Sequence, residues 1–222
     1  DRSTSLFSES LRMARASIFG VRTAKPVKVI AFTSAVPAEG KTTTALALSR
    51  MLAINGSRTL LIDCDVRRAS LRSLTGAEAK AGLVEILEHG ALASDAIVSD
   101  TVEGLDLLTV LRPYYSSEDL FGGENMARLL QELSGQYDHV VLDLPPVLGL
   151  ADSRFVAALA DAVIMVVRWG KTPLGAVSTA VQQLQADEAA IMGVIMTMVD
   201  PSSEAIGGMY YSQKYGSYYR AR

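Results

Sequence analysis

Scarcity marks this chain first: it has one cysteine, two histidines and one tryptophan. A single thiol, Cys64, excludes an internal disulfide and fits a reducing compartment. His89 and His139 stand far apart with no cysteine partner, so no zinc site is expected. No apolar run approaches the roughly 20 residues that cross a bilayer. The longest, Ala162 to Val167, is closed off by Asp161 and Arg168 and reads as a buried strand. An excess of one charge is also lacking. The net charge of -3 supplies no global pull toward nucleic acid or anionic lipid, and nucleic acid is not an expected partner. There is no signal-peptide pattern. The chain opens at Asp1 rather than methionine, so the expectation is a fragment of something longer, with any membrane-spanning neighbour outside it.

What is present suits one packed domain. Hydrophobic residues make up 49% and charged residues 20% of 222 positions, enough for a full core and too apolar for disorder. Phe7, Leu11, Ala14 and Ile18 recur at helical spacing over Ser5 to Phe19. A strand is expected from Val27, a helix from Lys41 to Ile54, and a strand from Thr59 that ends at Asp63. Further on, helices are expected at Leu83 to Glu88, Asn125 to Leu133, Ser153 to Ala160 and Pro173 to Ala186. Strands are expected at Leu105 to Val110, Val140 to Leu142, Ala162 to Val167 and Ile191 to Met196. Strands without period-two alternation are covered on both faces. The expected fold is therefore α/β, a mostly parallel sheet flanked by helices on both faces.

Between the first strand and the next helix lies Ser34-Ala-Val-Pro-Ala-Glu-Gly-Lys-Thr-Thr. That context suits a phosphate-binding loop, in which main-chain N–H groups and a helix N-terminus face an anion. Ala38, Glu39, Gly40, Lys41, Thr42 and Thr43 would cradle the phosphates of a nucleoside triphosphate. Lys41 would reach the β- and γ-phosphates, and the Thr42 hydroxyl would coordinate magnesium. Ala35 stands where the general pattern has its first glycine.

Carboxylates at strand ends support this reading. Leu60-Leu-Ile-Asp-Cys-Asp-Val-Arg-Arg delivers Asp63 and Asp65 to the sheet edge where open α/β folds bind ligands. Two apart in extended chain, they are expected to point the same way, their repulsion relieved by a divalent cation or by Arg67. Val140-Val-Leu-Asp-Leu-Pro-Pro places Asp143 where such folds hold magnesium, directly or through water. Cys64, between two carboxylates, is expected to be inert.

Together these segments resemble the bacterial tyrosine kinases, a P-loop NTPase-like family. There, Pro37-Ala-Glu-Gly-Lys-Thr-Thr corresponds to Walker A, Leu61-Ile-Asp-Cys-Asp-Val-Arg to Walker A′ and Val141-Leu-Asp-Leu-Pro-Pro to Walker B. Glu9, Arg12 and Arg15 fit the family's E-x-x-R-x-x-R motif. The resemblance implies that this motif joins subunits into a ring-shaped homo-oligomer, an octamer. Tyr210, Tyr211, Tyr215, Tyr218 and Tyr219 place five of the eight tyrosines in the last 13 residues, as phosphoacceptors on a glycine- and serine-rich tail. The expected division is 1–206 as kinase domain, with 1–20 an oligomerisation helix, and 207–222 as tail. By the resemblance, ATP and magnesium serve phosphoryl transfer to tyrosine between chains. Asp65 takes the phenol proton and Asp63 assists the metal. The implied setting is the cytoplasmic face of the bacterial inner membrane, regulating capsule and exopolysaccharide export. The implied partners are a membrane co-polymerase or activator and a cognate tyrosine phosphatase. Thr197 replaces an asparagine expected near the adenine in many relatives.

Two other classes share the fold. A switch ATPase of the septum-positioning or partition type carries an extra lysine where this chain has Val36. A non-catalytic nucleotide-binding adaptor would not need every carboxylate kept. Among the remaining residues, Arg168 and Trp169 border the base or cap a strand, and Tyr114 and Tyr115 pack on the surface. Arg67, Arg68 and Arg72 read as a solvated basic face.

Overall fold

The computed structural model of the chain describes residues 6–20, 26–115 and 120–200. Its elements in chain order are α1 (Leu6–Phe19), β1 (Val29–Ser34), α2 (Lys41–Ile54), β2 (Thr59–Asp63), α3 (Ser70–Thr75), α4 (Leu83–His89), α5 (Ala93–Ala96), β3 (Ile97–Ser99), β4 (Leu105–Leu108), α6 (Glu124–Gln136), β5 (His139–Asp143), α7 (Asp152–Ala157), β6 (Ala162–Arg168), α8 (Leu174–Ala186) and β7 (Ile191–Thr197). The strands form one sheet in the order β3-β4-β2-β5-β1-β6-β7. Every pairing is parallel except that of β3 with β4.

The central strands are buried along their whole length because both faces are covered. Val29–Ser34 and Thr59–Asp63 are buried at every position. On one face, Ile30, Phe32, Leu61 and Val141 pack with Leu48 and Leu52 of α2, Ile18 of α1 and Leu71 of α3. On the other, Ala31, Leu60, Ile62, Val140 and Leu142 meet Leu83 of α4, Leu130 and Leu133 of α6, Val156 of α7 and Leu184 of α8. Burying each such side chain contributes about 1.5–3 kcal/mol. Alternate residues of one strand serve opposite cores, which is why no period-two polarity appears in the sequence.

The sequence expectations missed three elements. α3 and α5 are too short to show helical periodicity. β3 is three residues long and partly exposed, formed only by antiparallel pairing of Ile97 with Leu108 and Ser99 with Asp106. The expected strand to Val110 stops at Leu108, where Thr109 turns its carbonyl to the Leu83 N–H at 3.0 Å. Gly82 is required at that crossing, since a Cβ there would stand 2.7 Å from the Thr109 carbonyl oxygen.

This topology sets the carboxyl ends of β2, β5, β1 and β6 side by side. Asp63 pairs in register with Asp143, and Asp143 with Phe32 of β1. The chain leaves β1 directly into the loop that starts α2.

Candidate active site

The loop from Ala35 to Gly40 is shaped by two left-handed residues, Ala38 at φ 64° and Gly40 at φ 85°. Such alternation turns successive N–H groups inward and forms an anion-binding concavity. Gly40 then starts α2, with no side-chain cap on its first N–H groups, so these donors remain for a ligand. Ala35, at the position of the usual first glycine, is fully buried in the core.

The loop is pinned by its own acid. Glu39 is 2% exposed. Its Oε2 accepts the Val36 N–H at 2.8 Å, and its Oε1 accepts the Arg168 N–H at 3.2 Å and the Thr172 hydroxyl. Thr197, at the end of β7, donates its hydroxyl to the Glu39 carbonyl at 2.6 Å, and its side chain lies 3.5 Å from where a Cβ on Gly40 would stand. Glu39 lines the cavity with the rest of the loop, while its carboxylate and the Thr197 hydroxyl fasten the loop to the ends of β6 and β7. The Arg168 N–H serves Glu39 and the Trp169 N–H bonds the Thr197 carbonyl at 3.0 Å, so this pair does structural work at the ligand edge.

Lys41 opens α2 and is 8% exposed. Its Nζ donates to Asp65 Oδ2 at 2.8 Å and stands 3.9 Å from Asp143 Oδ1. Asp63, Asp65 and Asp143 are all buried. β2 ends at Asp63 and Asp65 lies just beyond it, and the two carboxylates take different partners. Asp63 accepts the Asp65 N–H at 3.1 Å and the Leu71 N–H at 3.0 Å. Arg67 does not relieve their repulsion; it pairs with Asp152 at 3.6 Å, and Lys41 neutralises Asp65 instead.

Asp143 is different. Neither of its oxygens has a hydrogen bond of good geometry, though both are buried. The turn after it is hooked by Thr33 and Ser153, which donate to the Pro145 carbonyl at 2.8 Å and 2.6 Å. Burial pushes the Asp143 carboxyl above the usual carboxylate range, against the Lys41 ammonium and the nearby Thr42 hydroxyl. Burial, then the charge on Asp143, raises Asp63 as well. Cys64 is raised by its own burial and then by the three carboxylates, and is an inert thiol as expected.

A cavity of about 410 Å³ opens over this floor, lined by the loop from Pro37 to Thr43 and by Arg68, Ser70, Ser73, Leu74 and Pro146. The fold thus gathers Ala38, Gly40, Lys41, Thr42 and Thr43 at one wall, with Asp65 and Asp143 within reach of the Lys41 ammonium. Among the described residues no group of three or more His, Cys, Asp or Glu is arranged to hold a metal. Magnesium does not need one, because it binds through one or two carboxylates together with phosphates and water. The unpartnered oxygens of Asp143, with the Thr42 hydroxyl beside them, fit that demand. Both Asp63 oxygens are taken by main-chain N–H groups, which suits an orienting role more than direct ligation. Glu9 and Arg12 pair on α1 at 2.8 Å, and Arg12 and Arg15 are exposed. The five tail tyrosines lie outside the described residues. Tyr114 is half-buried against the core, while Tyr115 is exposed and donates to the Arg67 carbonyl at 3.2 Å.

The AAA domain family matches residues 27–191. The chain is 31% identical over 206 residues to the tyrosine-protein kinase YwqD of Bacillus subtilis, covering 93% of this chain and 87% of that protein. It is 31% identical over 227 residues to the succinoglycan biosynthesis transport protein ExoP of Rhizobium meliloti, covering 99% of this chain. It spans only 28% to 29% of the length of ExoP and of similarly long curated relatives. Among solved structures, the chimerical protein CapA2B2 is similar at a TM-score of 0.81 and 27% identity, with 88% of this chain and 86% of that one covered.

Proposed function

The chain belongs to the bacterial tyrosine-kinase family, within the AAA domain group, and from that premise we propose that it transfers the γ-phosphoryl group of ATP to tyrosine hydroxyls of its own C-terminal cluster, between chains. The observation that carries this reading is the Lys41 ammonium held between Asp65 and Asp143 on the floor of a cavity walled by main-chain donors. Without a triphosphate, Lys41 occupies Asp65. A bound triphosphate draws the ammonium to its β- and γ-oxygens and frees Asp65 Oδ2. The phenol oxygen then forms a bond to the γ-phosphorus. The bond from that phosphorus to the β,γ-bridging oxygen breaks, ADP departs with the electron pair, and Asp65 takes the phenol proton. A phenol with pKa near ~10 benefits from such an acceptor. Thr42 and Asp143 would hold magnesium, with Asp63 behind them; the ion supplies neutralisation of phosphate charge.

The same reading extends to partners and setting. The α1 face with partly exposed Glu9 and exposed Arg12 and Arg15 supports self-association in a ring. The name of the succinoglycan relative supports service to polysaccharide biosynthesis and transport; a membrane co-polymerase or activator, a place at the cytoplasmic face of the inner membrane and an opposing tyrosine phosphatase complete the proposal. Among the described residues no helix is long and apolar enough to cross a membrane.

Incubation with ATP and magnesium, followed by mass mapping of phosphate, tests the reading. Phosphate on Tyr210, Tyr211, Tyr215, Tyr218 or Tyr219 is expected, and none in Lys41→Met. Free phosphate alone would make the chain an ATPase, and neither product would make it an adaptor.

A further inference from the structure

The residues lining the phosphate cavity include two cations, Lys41 and Arg68. Lys41 already answers buried carboxylates: three acids, Asp63, Asp65 and Asp143, share one ammonium. A triphosphate adds more negative charge. The second cation is Arg68.

Its placement is fixed by the turn that follows β2. The Arg68 N–H and the Ala69 N–H both donate to the Asp65 carbonyl at 3.0 Å, and Ala69 closes the turn at φ 49°. Arg68 lines the same cavity as Lys41 and the phosphate loop, which places it on that side of the turn. Arg67 is turned away to Asp152. Among the described residues Arg68 has no carboxylate within ion-pair range. Arg68 also lines a second cavity of about 450 Å³, with Arg72, Leu111 and Pro113. Arg68 therefore borders both the phosphate cavity and the neighbouring one, from whose side an acceptor can enter.

We propose that Arg68 contacts the γ-phosphoryl group of the bound triphosphate from within the same chain and stabilises the charge that spreads over its oxygens during transfer. The inference rests on the phosphoryl-transfer reading above. A guanidinium at a transferring phosphoryl group accelerates transfer by about 10³-fold or more. It contributes little to ADP binding, because ADP lacks the group it meets.

The test compares Arg68→Ala, Arg68→Lys and the unaltered chain in two measurements. Calorimetry with magnesium-ADP, and with magnesium-ADP plus aluminium fluoride as a mimic of the transferring group, should show a split. In Arg68→Ala the ADP affinity changes by less than about threefold, while the fluoride complex weakens by about 100-fold or more. Turnover should fall with kcat rather than KM, recover in part in Arg68→Lys, and recover in part in Arg68→Ala on adding guanidinium ion. Equal weakening of both complexes, or unchanged turnover, would overturn the assignment. Failure of the kinase reading is distinguishable: a chain that makes no phosphotyrosine but binds the fluoride complex still reports on Arg68 through the split. A chain that binds neither complex removes both.

Discussion

At the scale of single residues, Asp143 carries a cost that serves binding. A buried carboxylate with no hydrogen-bond partner is unfavourable in the free protein, and two further buried acids stand nearby. Asp143→Asn removes the charge, lessens the repulsion on Asp63 and offers an amide N–H to neighbouring oxygens. The expected outcome is a free protein more stable by about 1 kcal/mol that has lost magnesium-dependent ADP affinity. Thermal melting with and without magnesium-ADP checks it, and a variant that melts lower than the parent would count against this account. Lys41→Met should do the opposite to the fold. It leaves Asp65 buried without its ammonium, and removing one partner of a buried pair costs about 3–5 kcal/mol. Phosphotransfer should vanish in both variants, so stability, measured by denaturant unfolding, is what separates them.

At the scale of elements, the loop works because strands on both sides hold it. Thr197 belongs to β7, far along the chain, yet its hydroxyl is one of the loop's fasteners. Thr197→Val keeps the shape and removes a hydrogen bond worth about 1 kcal/mol. Nucleotide affinity should fall by about tenfold at most, with little change in melting temperature, as titration of magnesium-ADP would show. The loop, the two aspartate-bearing strand ends and the sheet with helices on both faces were legible from local pattern, because each is a short contiguous signal. Glu39 as a clasp, Thr197 as its partner and Arg67 turned to Asp152 were not, since each depends on contacts across the fold. The α1 helix shows both kinds of information. Its spacing gave the helix, but only the structure shows that Ile18 is buried while Phe7 is 60% exposed. The helix is anchored to the body near its C-terminal end, and Arg12 and Arg15 are exposed on it. Arg12→Ala with Arg15→Ala should leave thermal stability within about 0.5 kcal/mol, as exposed ion pairs do. The assembly measured by light scattering should shrink; an unchanged assembly would remove these arginines from the interface.

At the scale of the whole molecule, chemistry and anchorage sit at opposite ends of the sheet. Asp143 ends β5 beside Lys41, while His139 begins the same strand beneath α1, its ring 4.7 Å from that of Phe19. His139 Nδ1 is buried without a hydrogen-bond partner. Burial holds the imidazole pKa below its ordinary value and Lys28 adds to that, while Asp138 and the Val27 backbone oppose it. The unfolded chain therefore binds a proton more readily than the folded one as pH drops below about 6.5. The stability linked to His139 is complete above that value and declines as pH falls toward the depressed folded pKa. The His139 contribution to the melting temperature should accordingly drop between pH 7 and pH 5, against the opposite contribution of the raised Asp63 and Asp143 carboxyls, so the comparison with a variant lacking the imidazole is what isolates it. His139→Phe keeps a ring against Phe19 and abolishes the titration, so its melting temperature should rise relative to the parent's over the same interval. Because protonation pushes charge against the last turn of α1, the helix should loosen before the sheet does. Hydrogen exchange at acid pH should then quicken in α1 ahead of β1 and β5. Uniform quickening across all three would mean that the acid response lies elsewhere in the molecule.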